Sequence, residues 1–135
     1  MTKPIPQINK FMTTSPHTIG SDQTLEQAKK IMHEFSIRHL PVLNAGKIVG
    51  IISEKDINFL SSFKEIDLQK EKVEQAMTLD PFMVNADTLL DGICMEMAEK
   101  KIGSVLVKDN NKLVGIFTWI DALRAMNELF QTRLK

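Results

Sequence analysis

A spacing of 65 residues runs through this chain and constrains its fold more than any single motif. Gly50-Ile51-Ile52-Ser53-Glu54-Lys55-Asp56 returns as Gly115-Ile116-Phe117-Thr118-Trp119-Ile120-Asp121. Each copy has a glycine, two apolar residues, a hydroxyl residue, two variable positions and an aspartate. Met12-Thr13 returns as Met77-Thr78, Pro16 as Pro81, and Lys47-Ile48-Val49-Gly50 as Lys112-Leu113-Val114-Gly115. Ile37-Arg38-His39-Leu40-Pro41-Val42 aligns at the same spacing with Ile102-Gly103-Ser104-Val105-Leu106-Val107. A repeat at fixed period is read before any local element, because it dictates the architecture. One interval reads differently. Thr24-Leu25 matches Thr88-Leu89 at a spacing of 64, as though a residue were lost in the second copy's loop and regained in its helix.

Each copy predicts one β-α-β-β-α unit. In the first, Pro16 to Ile19 is extended. Thr24 and Gln27 form a capping box, in which each side chain binds the other's backbone amide. Leu25, Ala28, Ile31, Met32 and Phe35 then share one helical face. His39 to Leu43 and Lys47 to Ile52 are strands joined by the turn residues Asn44-Ala45-Gly46. Ser53 caps a helix running to about Phe63. In the second copy, Phe82 to Asn85 is extended and Thr88 with Asp91 forms the capping box. Leu89, Ile93, Met97 and Ala98 make the helix face. Val105 to Val107 and Leu113 to Phe117 are strands joined by Asp109-Asn110-Asn111. A last helix from Thr118 towards Leu134 carries a stripe of Ile120, Leu123, Met126 and Phe130, with its wet face opposite. Ser61 to Lys72 is charged and reads as a linker of some helical tendency. The predicted boundaries are 8–63 and 73–125 for the repeats, 64–72 for the linker and 126–135 for a helical extension.

Neither half, at about 60 residues, buries much surface alone. The expected fold is therefore α/β (α+β), two β-α-β-β-α repeats related by pseudo-two-fold symmetry and packed sheet to sheet. At 43% hydrophobic and 25% charged residues, the chain has the composition of a globular domain. Seventeen basic residues balance 17 acidic ones, so no long-range field draws nucleic acid or anionic membrane. A single cysteine, Cys94, excludes an internal disulfide framework. Met1-Thr2-Lys3-Pro4 is not a charged head followed by an apolar run, so no secretory signal is expected, and no apolar run approaches the ~20 residues of a membrane span. A cytoplasmic protein is expected.

The duplication, the element order and the paired motifs together resemble a tandem pair of CBS domains, a Bateman module, over about residues 8–125. Met12-Thr13 with Pro16, Arg38-His39-Leu40-Pro41-Val42 and Gly50-Ile51-Ile52-Ser53-x-x-Asp56 carry the likeness in the first copy. Met77-Thr78 with Pro81, Ile102-Gly103-Ser104 and Gly115-Ile116-Phe117-Thr118-x-x-Asp121 carry it in the second. The resemblance implies a non-catalytic regulatory protein that binds AMP, ADP, ATP or S-adenosylmethionine in clefts between the repeats. It also implies a homodimer formed through helices, and signalling by conformational change to a target protein.

The residue chemistry is compatible with this. A carboxylate can accept a hydrogen bond from each of two ribose hydroxyls, with charge assistance. Asp56 and Asp121 are the candidates, with Ser53 and Thr118 beside the sugar or first phosphate, where helix N-terminal amides also favour an anion. Arg38 and His39 are candidate phosphate contacts, Arg38 offering a planar set of donors. Ile19, Val84, Pro41, Ile51 and Ile116 are candidate walls for the base. Ser-x-x-Asp and Thr-x-x-Asp are also helix-capping patterns, and one residue can serve both ends. His17, His33 and His39 form no i, i+4 pair and Cys94 stands alone, so no metal site is expected. Cys94 reads as core, and no nucleophile–base pair or glycine-rich phosphate loop is visible. The competing reading is a structural adaptor that dimerises and binds no nucleotide.

Overall fold

The computed structural model describes residues 4–133. Its elements are β1 (Thr13–Thr14), β2 (Ile19–Gly20), α1 (Leu25–Phe35), β3 (His39–Asn44), β4 (Lys47–Ser53) and α2 (Glu54–Ser61). The second half adds β5 (Thr78–Leu79), β6 (Met83–Asn85), α3 (Leu90–Lys100), β7 (Ser104–Asp109), β8 (Lys112–Thr118) and α4 (Trp119–Arg133). The predicted continuation of the last helix to Leu134 lies outside the described residues.

The chain divides into two compact units, and they are not the two sequence copies. One is continuous, His17–Pro81; the other joins Phe82–Lys135 to Met1–Pro16. In the continuous unit a sheet of order β2-β3-β4-β5 carries α1 and α2. Strand β5 comes from the second copy's Met-Thr segment and pairs antiparallel with β4, Thr78 opposite Ile51. In the discontinuous unit the order is β1-β8-β7-β6, with α3 and α4. There β1 comes from the first copy's Met-Thr segment and pairs with β8, Thr13 opposite Ile116.

The glycine of each motif explains this pairing. A Cβ on Gly50 would stand 2.7 Å from both Met77 Sδ and the Thr78 carbonyl oxygen. A Cβ on Gly115 would run into Met12 Sδ and come within 3.0 Å of the Thr13 carbonyl oxygen. Only a residue without a side chain lets the Met-Thr segment lie this close. The two signatures of each unit are therefore halves of one contact.

Helices cover one face of each sheet. Leu25, Ala28 and Met32 of α1 pack with Leu40, Val42, Ile52, Ile57 and Val73. In the other unit Leu90, Ile93 and Met97 pack with Ile8, Val105, Val107, Phe117 and Ala125. Both hairpins close through two residues of positive φ, Ala45 (51°) with Gly46 (79°) and Asn110 (52°) with Asn111 (63°). That twist matches the right-handed twist of the strands. The capping box of Thr24 and Gln27 forms as expected.

Three local expectations are corrected. The box at Thr88 and Asp91 does not form; the residue before α3 is Leu89, with no side-chain cap. The N-terminal segment supplies the partners instead, since Leu90 N donates to the Pro6 carbonyl (2.9 Å) and Ile8 N to that of Thr88 (2.8 Å). Helix α3 therefore begins at Leu90, 65 residues after Leu25, and no residue is lost between copies. Its inward face uses Leu90, not Leu89, which is 49% exposed, and Ala98 faces solvent. Secondly, the stripe on α4 faces outward. Ile120, Leu123, Met126 and Phe130 are 38–51% exposed, while Asp121 and Ala125 turn inward. Small residues let the helix approach the sheet closely, which leaves its large apolar side chains outside. Thirdly, the 62–72 segment is turns, not helix. Its Leu68 and Glu71 carbonyls accept from Glu26 N (3.0 Å) and Leu25 N (2.9 Å), satisfying the first amides of α1.

Candidate functional site

Strand alternation sorts the candidates by face. His39 pairs with Ser53 and Pro41 with Ile51, and Thr78 lies beside Ile51. These five stand opposite the core face of Leu40, Val42 and Ile52. In the other unit Ser104 pairs with Thr118 and Leu106 with Ile116, next to Thr13, again on the face away from the helices. Ile19 and Val84 are elsewhere. Ile19 is 5% exposed within its unit's core and pairs with Val42; Val84 pairs with Val107 and packs on the other core. Of the proposed base walls, the structure gathers Pro41 and Ile51 in one unit and places Ile116 in the equivalent position of the other.

Each strand–helix junction is a capping site first. Ser53 Oγ accepts from Asp56 N (3.2 Å), and Asp56 Oδ2 accepts from Ser53 N (2.9 Å) and Ser53 Oγ (2.9 Å). Asp121 Oδ2 likewise accepts from Thr118 N (2.9 Å) and Thr118 Oγ1 (3.4 Å). The carboxylates also complement the positive end of the helix dipole. Capping does not exhaust Asp56. Among the described residues nothing donates to its Oδ1, and the side chain is half-buried, within reach of a ligand. Asp121 differs, being 6% exposed and accepting on Oδ1 from Thr13 Oγ1 at 3.2 Å. Thr13 was visible in the sequence only as part of a repeated Met-Thr pair. A role for its hydroxyl needed the β1–β8 register.

Arg38 is exposed and His39 half-buried, and both lie at the Asp56 end of the sheet. Burial holds the His39 imidazole below its ordinary range; Asp56 opposes that shift and Arg38 adds to it. The imidazole is accordingly neutral near pH 7. The second copy has Gly103 and Ser104 here, which carry no charge. Two surface hollows lie away from these junctions. One of 470 Å³ is polar, bordered by Thr18, Ser21, Asp22, Asn44 and Glu74. The other, of 690 Å³, lies between the Pro4–Phe11 lead and the end of α4. Burial and Asp91 raise the pKa of the Cys94 thiol, which leaves it protonated and a poor nucleophile. Among the described residues no His, Cys, Asp and Glu side chains gather as metal ligands, and no helix is long and apolar enough to cross a membrane.

The model of the CBS domain matches the sequence twice, over residues 7–61 and 73–128. This chain belongs to the CBS domain family. As a CBS pair it is similar to the crystallised CBS domain pair of protein MJ0100, in complex with 5′-methylthioadenosine and S-adenosyl-L-methionine. The TM-score is 0.83 at 29% identity, covering 93% of this chain and 98% of that one. CBSX2, crystallised in complex with AMP, shares the fold at a TM-score of 0.82 and 24% identity, with 92% and 98% covered. L-aspartate semialdehyde sulfurtransferase of Methanocaldococcus jannaschii is 31% identical over 126 residues, which is 92% of this chain and 24% of the enzyme. The first curated relatives are all longer; the chain spans 21–37% of their lengths.

Proposed function

We propose that this CBS pair is a non-catalytic regulatory module whose ligand is an adenosine-containing molecule: AMP, ADP, ATP or S-adenosylmethionine. The observation that carries the reading is the Asp56 junction. A helix-capping carboxylate keeps one oxygen without a donor among the described residues, beside Arg38 and His39 and at the edge of an apolar sheet face bearing Pro41 and Ile51. Ribose hydroxyls suit that oxygen, a phosphate or carboxylate suits Arg38, and a flat base suits Pro41 and Ile51. The adenosine compounds held by the MJ0100 pair support the same class of ligand. Binding signals to a target protein only if the ligand prefers one conformation of the module over another.

Isothermal titration with the four compounds tests the proposal. Asp56→Asn keeps an oxygen to accept the capping bonds and removes the charge, so affinity is expected to fall about tenfold, the difference between a charged and a neutral acceptor being of order 1 kcal/mol. No heat with any compound at millimolar concentration, or full affinity in Asp56→Asn, overturns it.

A second reading rests on α4. Four large apolar side chains exposed along one helix, Ile120, Leu123, Met126 and Phe130, are a surface suited to a second copy of the chain. On this reading the module is a homodimeric adaptor. Sedimentation of Met126→Glu/Phe130→Glu should show a monomer where the native protein is a dimer. Dimerisation with no ligand-dependent rise in melting temperature would favour the adaptor.

A further inference from the structure

The two junctions have the same backbone and opposite availability. Asp121 is 6% exposed, and both its oxygens accept hydrogen bonds from the protein, Oδ1 from Thr13 and Oδ2 from Thr118. Asp56 is half-buried, and its Oδ1 has no donor among the described residues. The residue equivalent to Thr13 is Thr78, which occupies the same register position, opposite Ile51 as Thr13 is opposite Ile116. No hydrogen bond joins Thr78 to Asp56 among the described residues, so the edge strand latches one carboxylate and leaves the other free. The geometry points to Thr13 as a specificity-determining residue that occupies Asp121 and leaves Asp56 as the working ribose acceptor, one per chain. This rests on the adenosine-binding reading above and refines it.

The chemistry around each carboxylate reinforces the difference. A sugar hydroxyl arriving at Asp121 meets a side chain only 6% exposed, with Thr13 already bonded to Oδ1, so it must share or displace that bond and gains less than at a free oxygen. At Asp56 it adds a bond. Arg38 and His39 stand beside Asp56, whereas Gly103 and Ser104 occupy the equivalent positions beside Asp121. At the start of the strand, a phosphorylated ligand therefore meets an arginine in the first copy and a glycine in the second.

The test is the stoichiometry of AMP binding to the full chain, by isothermal titration. The native protein should bind one AMP per chain, and Asp121→Asn should leave that affinity within twofold. Thr13→Val removes the hydroxyl while keeping the size and β-preference of the residue, so β1 still pairs. It should free Asp121 and reveal a second, weaker site, at least tenfold above its native affinity. Two equal sites in the native protein overturn the inference, as does an unchanged single site in Thr13→Val with a native melting temperature. Adenosine without phosphate removes the Arg38 contribution, and the change in its preference between native protein and Thr13→Val reports the latch. Failure of the native protein to bind any adenosine compound overturns the parent reading and is distinguishable at the first titration.

Discussion

At the residue scale, two aspartates in equivalent places have unequal environments, and so do the residues that precede their strands. His39 carries a pH consequence. Its pKa in the folded protein is depressed, mainly by burial, from an ordinary value of 6.5. The unfolded chain thus binds a proton more readily than the folded one as pH falls below that value. The stability that His39 contributes is complete above pH 6.5 and is lost progressively below it. Urea midpoints of the native protein and His39→Gln, compared between pH 7.5 and 5, should show the native protein losing more. Equal losses would mean that the imidazole is not held neutral. The Ser53 and Asp56 roles were readable as cap, ligand contact or both. The structure shows why, since the cap uses one carboxylate oxygen and leaves the other.

At the scale of elements, the strands, hairpin turns and helix order follow from period-2 and period-3.6 patterning, and these were legible. The misreadings came wherever a distant segment supplied the bond that a local side chain was expected to make. Thr88 has the chemistry of a cap, yet the Pro6 carbonyl reaches Leu90 N, a partner more than 80 residues away in the chain. The α4 stripe was misjudged because periodicity marks an apolar face without saying which way it turns; Ala122 and Ala125 make the inward side. Ile19 and Val84 were read as base walls, and the strand register puts them with the helices instead. The Met-Thr and glycine signatures were seen separately, and the structure joins them. Gly50→Ala should cost about 1–3 kcal/mol, the usual range for overpacking. Gly115→Ala should cost less, because its nearest obstacle is the flexible Met12 side chain and the backbone oxygen is farther, 3.0 Å against 2.7 Å. Denaturant midpoints of the two variants check the order; a larger loss in Gly115→Ala would contradict it.

At the scale of the whole molecule, the repeat period was legible and the exchange of leading segments was not. A pattern of 65 reveals that two copies exist, but not which sheet a two-residue strand will join. Ile8 shows the effect. It is fully buried in the discontinuous unit, among side chains of the second copy, while Val73 is fully buried in the continuous unit, among those of the first. Ile8→Ala should cost about 2–5 kcal/mol. Hydrogen exchange should locate the loss in residues 82–133, with 17–81 still protected. Val73→Ala should reverse the pattern. Uniform loss of protection in either variant would show that the two units do not open separately.

This exchange bears on ancestry. A lone, unfused copy would carry its Met-Thr segment at the wrong end to lie over its own glycine, if the segment kept its present course. Two such chains could each complete the other, at the cost of depending on concentration. Joining them in one gene makes the exchange intramolecular, independent of dilution, and frees each copy to diverge. Arg38-His39 in one copy where the other has Gly103-Ser104, and, among the described residues, Thr13 bonded where Thr78 is not, are the kind of divergence that a fused pair permits and an identical pair of chains cannot have.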